Sequence, residues 1–130
     1  MKLIFKIILS VVVIFFIVVA SGVFFITRGL SSGKQLVIND IDLSSASDGT
    51  YNGEYKSGRW TNELSVTIAD HKITKINIVK DVLFPKEDIT KVLFNKVIEK
   101  QTTKVDAEAG ATLTSKAYLK SIENALKKVK

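Results

Sequence analysis

The sequence predicts an α+β fold in which a small antiparallel sheet packs with two helices, preceded by one N-terminal transmembrane helix. Three observations lead to this expectation: an uncharged apolar run over residues 7–26, strand-like alternation within residues 50–79, and helical periodicity after Pro85. Because the strand-like segments come first and the helical ones follow, the pattern is typical of an α+β domain whose helices cover a sheet. At 130 residues the chain has room for one domain and an appendage.

The N-terminal apolar run has the length of a membrane-spanning helix. Lys2 and Lys6 precede residues 7–26, which carry no charge, and Arg28 ends the run. At about 1.5 Å per residue, such a helix crosses the ~30 Å hydrocarbon core of a bilayer and contacts membrane lipid. Lys2, Lys6 and the terminal amine favour a cytoplasmic N-terminus. The sequence therefore predicts a single-pass protein of the cell membrane whose remaining residues are extracytoplasmic.

A cleaved signal peptide is the alternative for the same run. Residues 18–20 (Val-Val-Ala) match the small-residue pattern that a signal peptidase accepts. The apolar run continues through residues 23–26, however, and exceeds the usual signal-peptide core of roughly 7–15 residues. The anchor is favoured for this reason, and either interpretation exports residues 30–130.

Composition divides the chain into three parts. We expect a transmembrane anchor at residues 1–28, a linker at residues 29–47 and a folded domain at residues 48–130. The linker is expected because residues 29–33 (Gly-Leu-Ser-Ser-Gly) and 44–49 (Ser-Ser-Ala-Ser-Asp-Gly) are rich in glycine and serine, which favour flexible backbone.

The sheet is predicted from three short segments. A turn at residues 48–49 precedes a strand-like segment at residues 50–55. Apolar and polar residues then alternate over residues 63–68 and, after a tight reversal at residues 70–71, again over residues 73–79. Period-two alternation is typical of half-buried strands, so the three segments predict a β-meander.

Two helices are expected after the sheet. Pro85 suits a helix start, with Glu87 and Asp88 in the first turn, where the helix dipole favours acidic residues. Apolar residues then recur at helical spacing. They are Ile89, Val92, Leu93, Val97 and Ile98 in the first helix, and Tyr118, Ile122, Ala125, Leu126 and Val129 in the second.

Composition excludes several kinds of functional site. The sequence contains no cysteine, so disulfides, thiolate metal sites and thiol nucleophiles are excluded. The single histidine, His71, lies in the predicted hairpin turn, where an exposed side chain is expected. The formal net charge is +6, but no basic stripe with interleaved aromatics is present, and we expect no nucleic-acid partner. We accordingly expect no metal site and no catalytic residues.

The segment from Asp106 to Ser115 is the strongest candidate for a binding site. It reads Asp-Ala-Glu-Ala-Gly-Ala-Thr-Leu-Thr-Ser and comes just before the C-terminal amphipathic run. Small residues allow a ligand to approach the backbone, and hydroxyl groups at a helix N-terminus lie where free N–H groups favour a phosphate. Thr112, Thr114 and Ser115 therefore outline a phosphate site. The alternative is that these hydroxyls are ordinary helix caps.

With these residues, the sequence resembles the FMN-binding domain family, typified by the C subunit of the sodium-translocating NADH:quinone reductase and the G subunit of the Rnf complex. The family motif is Asp, two variable residues, Ser or Thr, then Gly-Ala-Thr, usually followed by Thr-Ser. Residues 106–115 match this motif except at Ala109, and residues 48–55 (Asp-Gly-Thr-Tyr-Asn-Gly-Glu-Tyr) resemble the family's opening. The hairpin at 69–79 and the closing segment at 121–128 are also similar, so the resemblance covers about residues 48–130.

The resemblance implies a role for each motif residue. Thr112 corresponds to the threonine that carries FMN through a phosphoester bond, which a separate magnesium-dependent flavin transferase forms from FAD outside the cytoplasm. Asp106 corresponds to the leading acid that the transferase needs. Gly110 and Ala111 are the small residues beside the attachment point. Thr114 and Ser115 match the trailing pair, expected to cap the helix and hold the phosphate.

Two further residues complete the expected site. Ala109 stands where the family has Ser or Thr, and the missing hydroxyl removes one hydrogen bond near the phosphate, about 1 kcal/mol. We expect this change to slow attachment of the flavin rather than abolish it. Trp60 is a candidate for stacking on the isoalloxazine ring, and packing in the core or at its edge is the alternative.

The resemblance implies a membrane-anchored extracytoplasmic flavoprotein that carries electrons and is not itself an enzyme, although it could be a subunit of a larger oxidoreductase. Its expected cofactor is FMN. Its expected partners are the flavin transferase, a membrane electron donor and an extracytoplasmic acceptor. The alternative is a non-redox binding or scaffold module of a membrane complex that binds FMN loosely or not at all.

Overall fold

The computed structural model describes residues 1–108 and 110–129. In chain order, the elements are α1 (Lys2–Thr27), α2 (Leu30–Lys34), β1 (Gly49–Tyr55), a 3₁₀ turn (Gly58–Trp60), β2 (Asn62–Ala69), β3 (Lys72–Lys80), α3 (Glu87–Lys100) and α4 (Thr112–Leu126). The α+β class is confirmed: a three-stranded antiparallel sheet packs with helices and follows an apolar N-terminal helix.

Helix α1 has the length and composition of a membrane-spanning helix. It runs for 26 residues without a buried side chain, and it is the one helix in the described ranges long and apolar enough to cross a bilayer. The hydroxyls of Ser10, Ser21 and Thr27 donate hydrogen bonds to carbonyl groups one turn earlier in the helix. These bonds satisfy polar groups that lipid could not, which suits a helix in a bilayer. At its C-terminal end α1 contacts the 3₁₀ turn.

The sheet has the strand order β1-β2-β3, with both neighbouring pairs antiparallel. Leu64, Val66 and Ile68 of the central strand are buried on one face, as their alternation predicts. The β2–β3 reversal places Asp70 and His71 at φ of 52° and 61°, the left-handed conformation that tight hairpins require. His71 is exposed in this turn.

Helix α4 lies across the buried face of β1 and β2. Gly53 allows this close approach, since a Cβ there would lie 1.8 Å from the carbonyl oxygen of Ser121 and 2.4 Å from the backbone nitrogen of Ala125. Tyr118 is fully buried and meets Phe94 of α3 edge to face, with ring centroids 5.6 Å apart. The predicted apolar residues of α4 are all buried: Tyr118, Ile122, Ala125, Leu126 and, just beyond the helix, Val129.

Helix α3 begins two residues later than Pro85 and buries a slightly different face from the one expected. Val92 is 45% exposed, whereas Phe94 and Thr90 are buried. The reason is that the aromatic ring of Phe94 packs on Tyr118, which rotates the buried stripe of the helix toward α4.

The segment 29–47, expected to be a linker, packs against the domain over much of its length. Leu43 and Ala46 belong to the hydrophobic core. The backbone N–H of Asn39 donates to Glu123 of α4, and the hydroxyl of Thr103 donates to the carbonyl of Asn39 at 2.8 Å. Apolar residues placed between the glycine- and serine-rich stretches thus pack against the core of the domain.

Candidate functional site

The residues of the motif segment form the approach to α4. The helix begins at Thr112, and Ala111 is its N-cap residue without any side-chain cap hydrogen bond. Gly110 has φ of 77°, and a Cβ built there would meet nothing within 4 Å. Only glycine takes this conformation without strain, and the space beside it is open. The chain therefore turns sharply into α4 with its backbone accessible.

The hydroxyls of this segment do not act as helix caps in the described residues. No hydrogen bond of the Thr112 or Thr114 hydroxyl is found there, and the first backbone N–H groups of α4 have no side-chain acceptor. Among bonds between described residues, the N–H of Ser115 is the first of the helix to bond back to a carbonyl, that of Ala111 at 2.8 Å. The first N–H groups of a helix and the positive end of its dipole face the same place, which favours an anion.

Ser115 has a different position from the two threonines. It is fully buried, and its Oγ accepts a hydrogen bond from the backbone N–H of Glu108 at 3.2 Å. The Glu108 carboxylate in turn forms an ion pair with Lys96 of α3. Glu108 therefore fixes the motif segment (residues 106–115) at two points: its carboxylate pairs with α3, and its backbone N–H bonds to Ser115 of α4.

A cleft of about 170 Å³ opens beside this segment, and we call it the Arg59 cleft. The guanidinium carbon of Arg59 lies 4.4 Å from the Trp60 ring centroid and 5.8 Å from that of Phe84. The Nε atom of Arg59 is buried and has no hydrogen-bond partner in the described part of the chain. The lining residues are Arg59, Trp60, Val82, Phe84, Lys86, Gly110, Ala111 and Thr114.

The structure brings most of the predicted site residues together. Gly110, Ala111, Thr114 and Trp60 line the Arg59 cleft, although they come from positions far apart in the sequence. Thr112 is exposed and directly follows the lining residue Ala111.

Two further predicted positions, Asp106 and Ser115, do not line the cleft. Asp106 is exposed and Ser115 is buried. Ala109 lies outside the described residues. Trp60 is only 5% exposed and carries Arg59 over its ring, so the packing expected as the alternative describes its present position. Stacking of a flavin on Trp60 would require Arg59 to move.

Sequence reasoning missed the wall of the cleft opposite the motif segment. Val82, Phe84 and Lys86 form this wall, and the N–H of Leu83 donates to the carbonyl of Arg59 at 2.9 Å, which holds the two chain segments together. The sequence does carry one signal. Leu83 and Phe84 are an exposed apolar pair ahead of Pro85, outside the periodic positions of any element.

A buried tyrosine supports the chain segment that begins this wall. The Tyr118 hydroxyl forms a hydrogen bond with Asp81, whose carboxylate also accepts from the backbone N–H of Val82 at 2.8 Å. Burial and the bond to Asp81 raise the pKa of Tyr118 above its ordinary value, so this hydroxyl remains protonated and donating. Asp81 thus links α4 to the first residue of the wall.

The chemistry of the cleft fits an organic phosphate. Arg59 and Lys86 supply two cations, and no acidic residue lines the cleft in the described ranges. The buried, unpartnered Arg59 Nε is a donor in need of an acceptor, and phosphate oxygens match the guanidinium fork. Among residues 1–108 and 110–129, no group of three His, Asp or Glu side chains is placed to bind a metal ion. The residues present therefore fit the phosphate of FMN.

Comparison with known proteins agrees with this chemistry. The family model described as the FMN-binding domain matches residues 58–127, which include the Arg59 cleft and all of α4. No curated protein matches the chain. The match begins after β1, so the opening at residues 48–55 lies outside it. FMN is the cofactor that this family binds, and α1 precedes the matched region as an apolar helix of membrane-spanning length. The chain belongs to the FMN-binding domain family.

Proposed function

We propose that this protein is a membrane-anchored electron carrier whose FMN is attached through a phosphoester to Thr112 on the extracytoplasmic side. The observation that carries the proposal is the position of the Thr112 hydroxyl. It is exposed at the first residue of α4 and has no hydrogen-bond partner among the described residues, and it directly follows Ala111, which lines a cleft with two cations. A hydroxyl with this exposure is reachable by a modifying enzyme, and a phosphate attached to it meets positive charge.

A separate enzyme must form this bond. A threonine hydroxyl is a weak nucleophile without a base, and no described side chain is hydrogen-bonded to that of Thr112. In the proposed step, the Thr112 Oγ attacks the FMN phosphorus of FAD. The new Oγ–P bond replaces the pyrophosphate P–O bond, AMP leaves, and the hydroxyl proton passes to a base of the transferase. No electrons are exchanged in this step.

The roles of the chain's own residues follow from their positions. The free N–H groups of α4 hold the phosphate, and Gly110 leaves space for the group beside it. Glu108, fixed by Lys96 and Ser115, keeps this segment in place. FMN supplies the isoalloxazine that accepts and releases electrons, and the protein supplies its position and exposure. The cleft is smaller than typical ligand pockets of roughly 300–1,000 Å³, which leaves the ring accessible to redox partners.

The charges around α1 support an extracytoplasmic domain. Lys2, Lys6 and the terminal amine flank one end of the helix, against Arg28 and Lys34 just beyond the other. The positive-inside rule places the richer end in the cytoplasm. An external flavin site also accounts for covalent attachment, because a dissociated flavin would be lost from the cell.

The attachment is tested by coexpressing the full chain with a flavin transferase. We expect a fluorescent band after denaturing electrophoresis and an intact mass increased by one FMN less one water. Thr112→Ala should lose both signals, while the control Thr74→Ala, on the exposed side of β3, should keep them. A Thr112→Ala variant that stays fluorescent would overturn the assignment. A wild-type protein that remains unmodified would favour the scaffold alternative.

The orientation is tested with a single introduced cysteine, since the natural chain has none. Asn95→Cys places a thiol on the exposed side of α3. A membrane-impermeant maleimide should label this variant in intact cells as fully as in lysed cells. Labelling that requires lysis would show that the domain lies in the cytoplasm.

A further inference from the structure

We propose that Arg59, assisted by Lys86, binds the phosphate group of FMN beside the motif segment that carries Thr112. This inference rests on the proposed function, because it assigns the partner of the phosphate carried at the start of α4. It concerns two residues that lie outside the motif segment. Its physical basis is the state of the Arg59 side chain, the size of the cleft and the distribution of charge around it.

Arg59 is a cation without an anion. It forms no salt bridge and no side-chain hydrogen bond with any described residue, and its Nε atom is buried. A buried N–H of a charged group is ordinarily satisfied, so the lack of an acceptor here calls for a ligand that brings one. The guanidinium is held against Trp60 and near Phe84, which restricts its motion and leaves its donors pre-positioned for a planar or bidentate acceptor.

The volume and lining of the cleft favour the phosphate over the ring as the group that Arg59 binds. The cleft volume of about 170 Å³ is smaller than the roughly 300–1,000 Å³ of typical ligand pockets, which suits a phosphate better than the whole tricyclic ring. Gly110, Ala111 and Thr114 also line the cleft, and Thr112 lies between the last two in the chain.

Lys86 supplies the second positive charge of the cleft lining. It is exposed, lines the cleft and has no salt bridge in the described ranges. Its flexible ammonium group acts as a point charge, whereas the Arg59 fork is directional. Phe84, 57% exposed at the same rim, offers an apolar surface on which the projecting ring can rest. We therefore predict that substitution of Arg59 weakens FMN binding more than substitution of Lys86 does.

The first experiment compares FMN with riboflavin, which has the same ring without the phosphate. The full chain is produced without a transferase, purified in detergent and titrated with each flavin, with fluorescence quenching as the readout. We expect Arg59→Gln to weaken FMN binding by about tenfold and to leave riboflavin binding unchanged. Arg59→Lys and Lys86→Gln should give intermediate losses. Lys75→Gln removes the same charge from the exposed face of β3 and should have no effect.

The opposing outcomes are distinct. Equal losses for the two flavins in both Arg59→Gln and Arg59→Lys would place Arg59 on the ring or in the fold and overturn the proposal. Equal affinity of the wild-type chain for FMN and riboflavin would also overturn it. Because retained riboflavin binding reports an intact domain, misfolding of Arg59→Gln would be recognised as a loss of both flavins and checked with Arg59→Lys.

The second experiment examines the loaded protein by phosphorus NMR. The phosphodiester at Thr112 gives one resonance, whose chemical shift depends on hydrogen bonding to its oxygens. We expect that resonance to move in Arg59→Gln and not in Lys75→Gln. An unchanged resonance in Arg59→Gln, with FMN attached as shown by intact mass, would refute the proposal and leave the proposed function standing. A wild-type chain that binds FMN through Arg59 but acquires no covalent flavin would refute the attachment and leave this inference standing.

Discussion

The backbone N–H of Asn39 donates a hydrogen bond to Oε2 of Glu123 at 3.0 Å, which joins the segment before the sheet to the last helix. The Glu123 side chain is fully buried, and its carboxylate also pairs with Lys120 and Lys127, each at 3.0 Å. Three residues from two parts of the chain thus donate to one carboxylate, Asn39 through both its backbone N–H and its side-chain amide. Glu123 therefore links the segment before the sheet to the domain, and Thr103 and Lys120 also donate to backbone carbonyls of that segment.

We predict that Glu123→Gln destabilises the domain by about 2 kcal/mol, because hydrogen bonds to charged groups contribute about 1.5–3 kcal/mol. The amide keeps one acceptor oxygen for Asn39 but opposes the lysines with its N–H groups. Equilibrium unfolding of the full chain in detergent gives the value, with the exposed Glu99→Gln as the control. A difference no larger than that of Glu99→Gln would contradict the role of Glu123.

The same carboxylate predicts a dependence of stability on pH. Burial alone would raise the pKa of Glu123, but the hydrogen bonds from Asn39, Lys120 and Lys127 lower it below the ordinary value of 4.5. A lowered folded-state pKa stabilises the fold above the unfolded-state value, and this stabilisation is lost as pH falls through the folded-state value. The difference in the free energy of unfolding between wild type and Glu123→Gln should therefore be constant near neutral pH and decrease below pH 4.5. A difference that increases as the pH falls would contradict this prediction.

We predict that Gly53→Ala destabilises the domain by about 3 kcal/mol or more. The added methyl would fall 1.8 Å from the carbonyl oxygen of Ser121, and backbone atoms cannot give way as a side chain end can. Helix α4 would have to move off the sheet. Gly22→Ala is a matched control, since a Cβ there meets nothing within 4 Å. Thermal unfolding followed by circular dichroism measures both variants, and a Gly53→Ala domain as stable as the control would show that α4 is not this close.

We predict that Ser115→Ala loosens the motif segment at Glu108. The buried Ser115 hydroxyl is the acceptor for the Glu108 N–H, and leaving that N–H unsatisfied costs about 1–3 kcal/mol. Hydrogen exchange of the Glu108 amide should become faster while the amides of β2 remain protected. Ser65→Ala, on the other face of the sheet, serves as the control. Unchanged exchange at Glu108 would mean that another group holds the segment.

The sequence allowed prediction of the elements whose periodicity is simple, and the structure explains the departures. Alternation of Leu64, Val66 and Ile68 identified β2 correctly, because a half-buried strand enforces a strict period of two. In β3 the register shifts between the partners of Thr67 and Ile68, so that Ile73 and Ile76 are buried on the same side although they are three residues apart. A bulge of this kind depends on pairing between strands and leaves no mark in one strand's pattern.

The candidate site likewise contains residues that the sequence predicts and residues that only the structure reveals. Gly110, Ala111 and Thr114 were identified because they belong to one contiguous motif, and they line the cleft as expected. Arg59 and Lys86 escaped notice because 26 residues of hairpin and connecting chain separate them in sequence, and only the tertiary fold brings them together. Burial of Trp60 under Arg59 is likewise a matter of packing between segments.

The contact between the end of α1 and the 3₁₀ turn has a consequence for the proposed electron transfer. Arg28 at the foot of the domain and Lys56, Ser57 and Gly58 beside the turn line one shared groove, and Arg59 and Trp60 follow immediately in the chain. Under the proposed function, a domain seated in this way would hold a flavin on Thr112 at a fixed position relative to the end of α1. A donor or acceptor would then have to bring its own redox centre to that position, by lateral diffusion in the bilayer or by docking onto the domain.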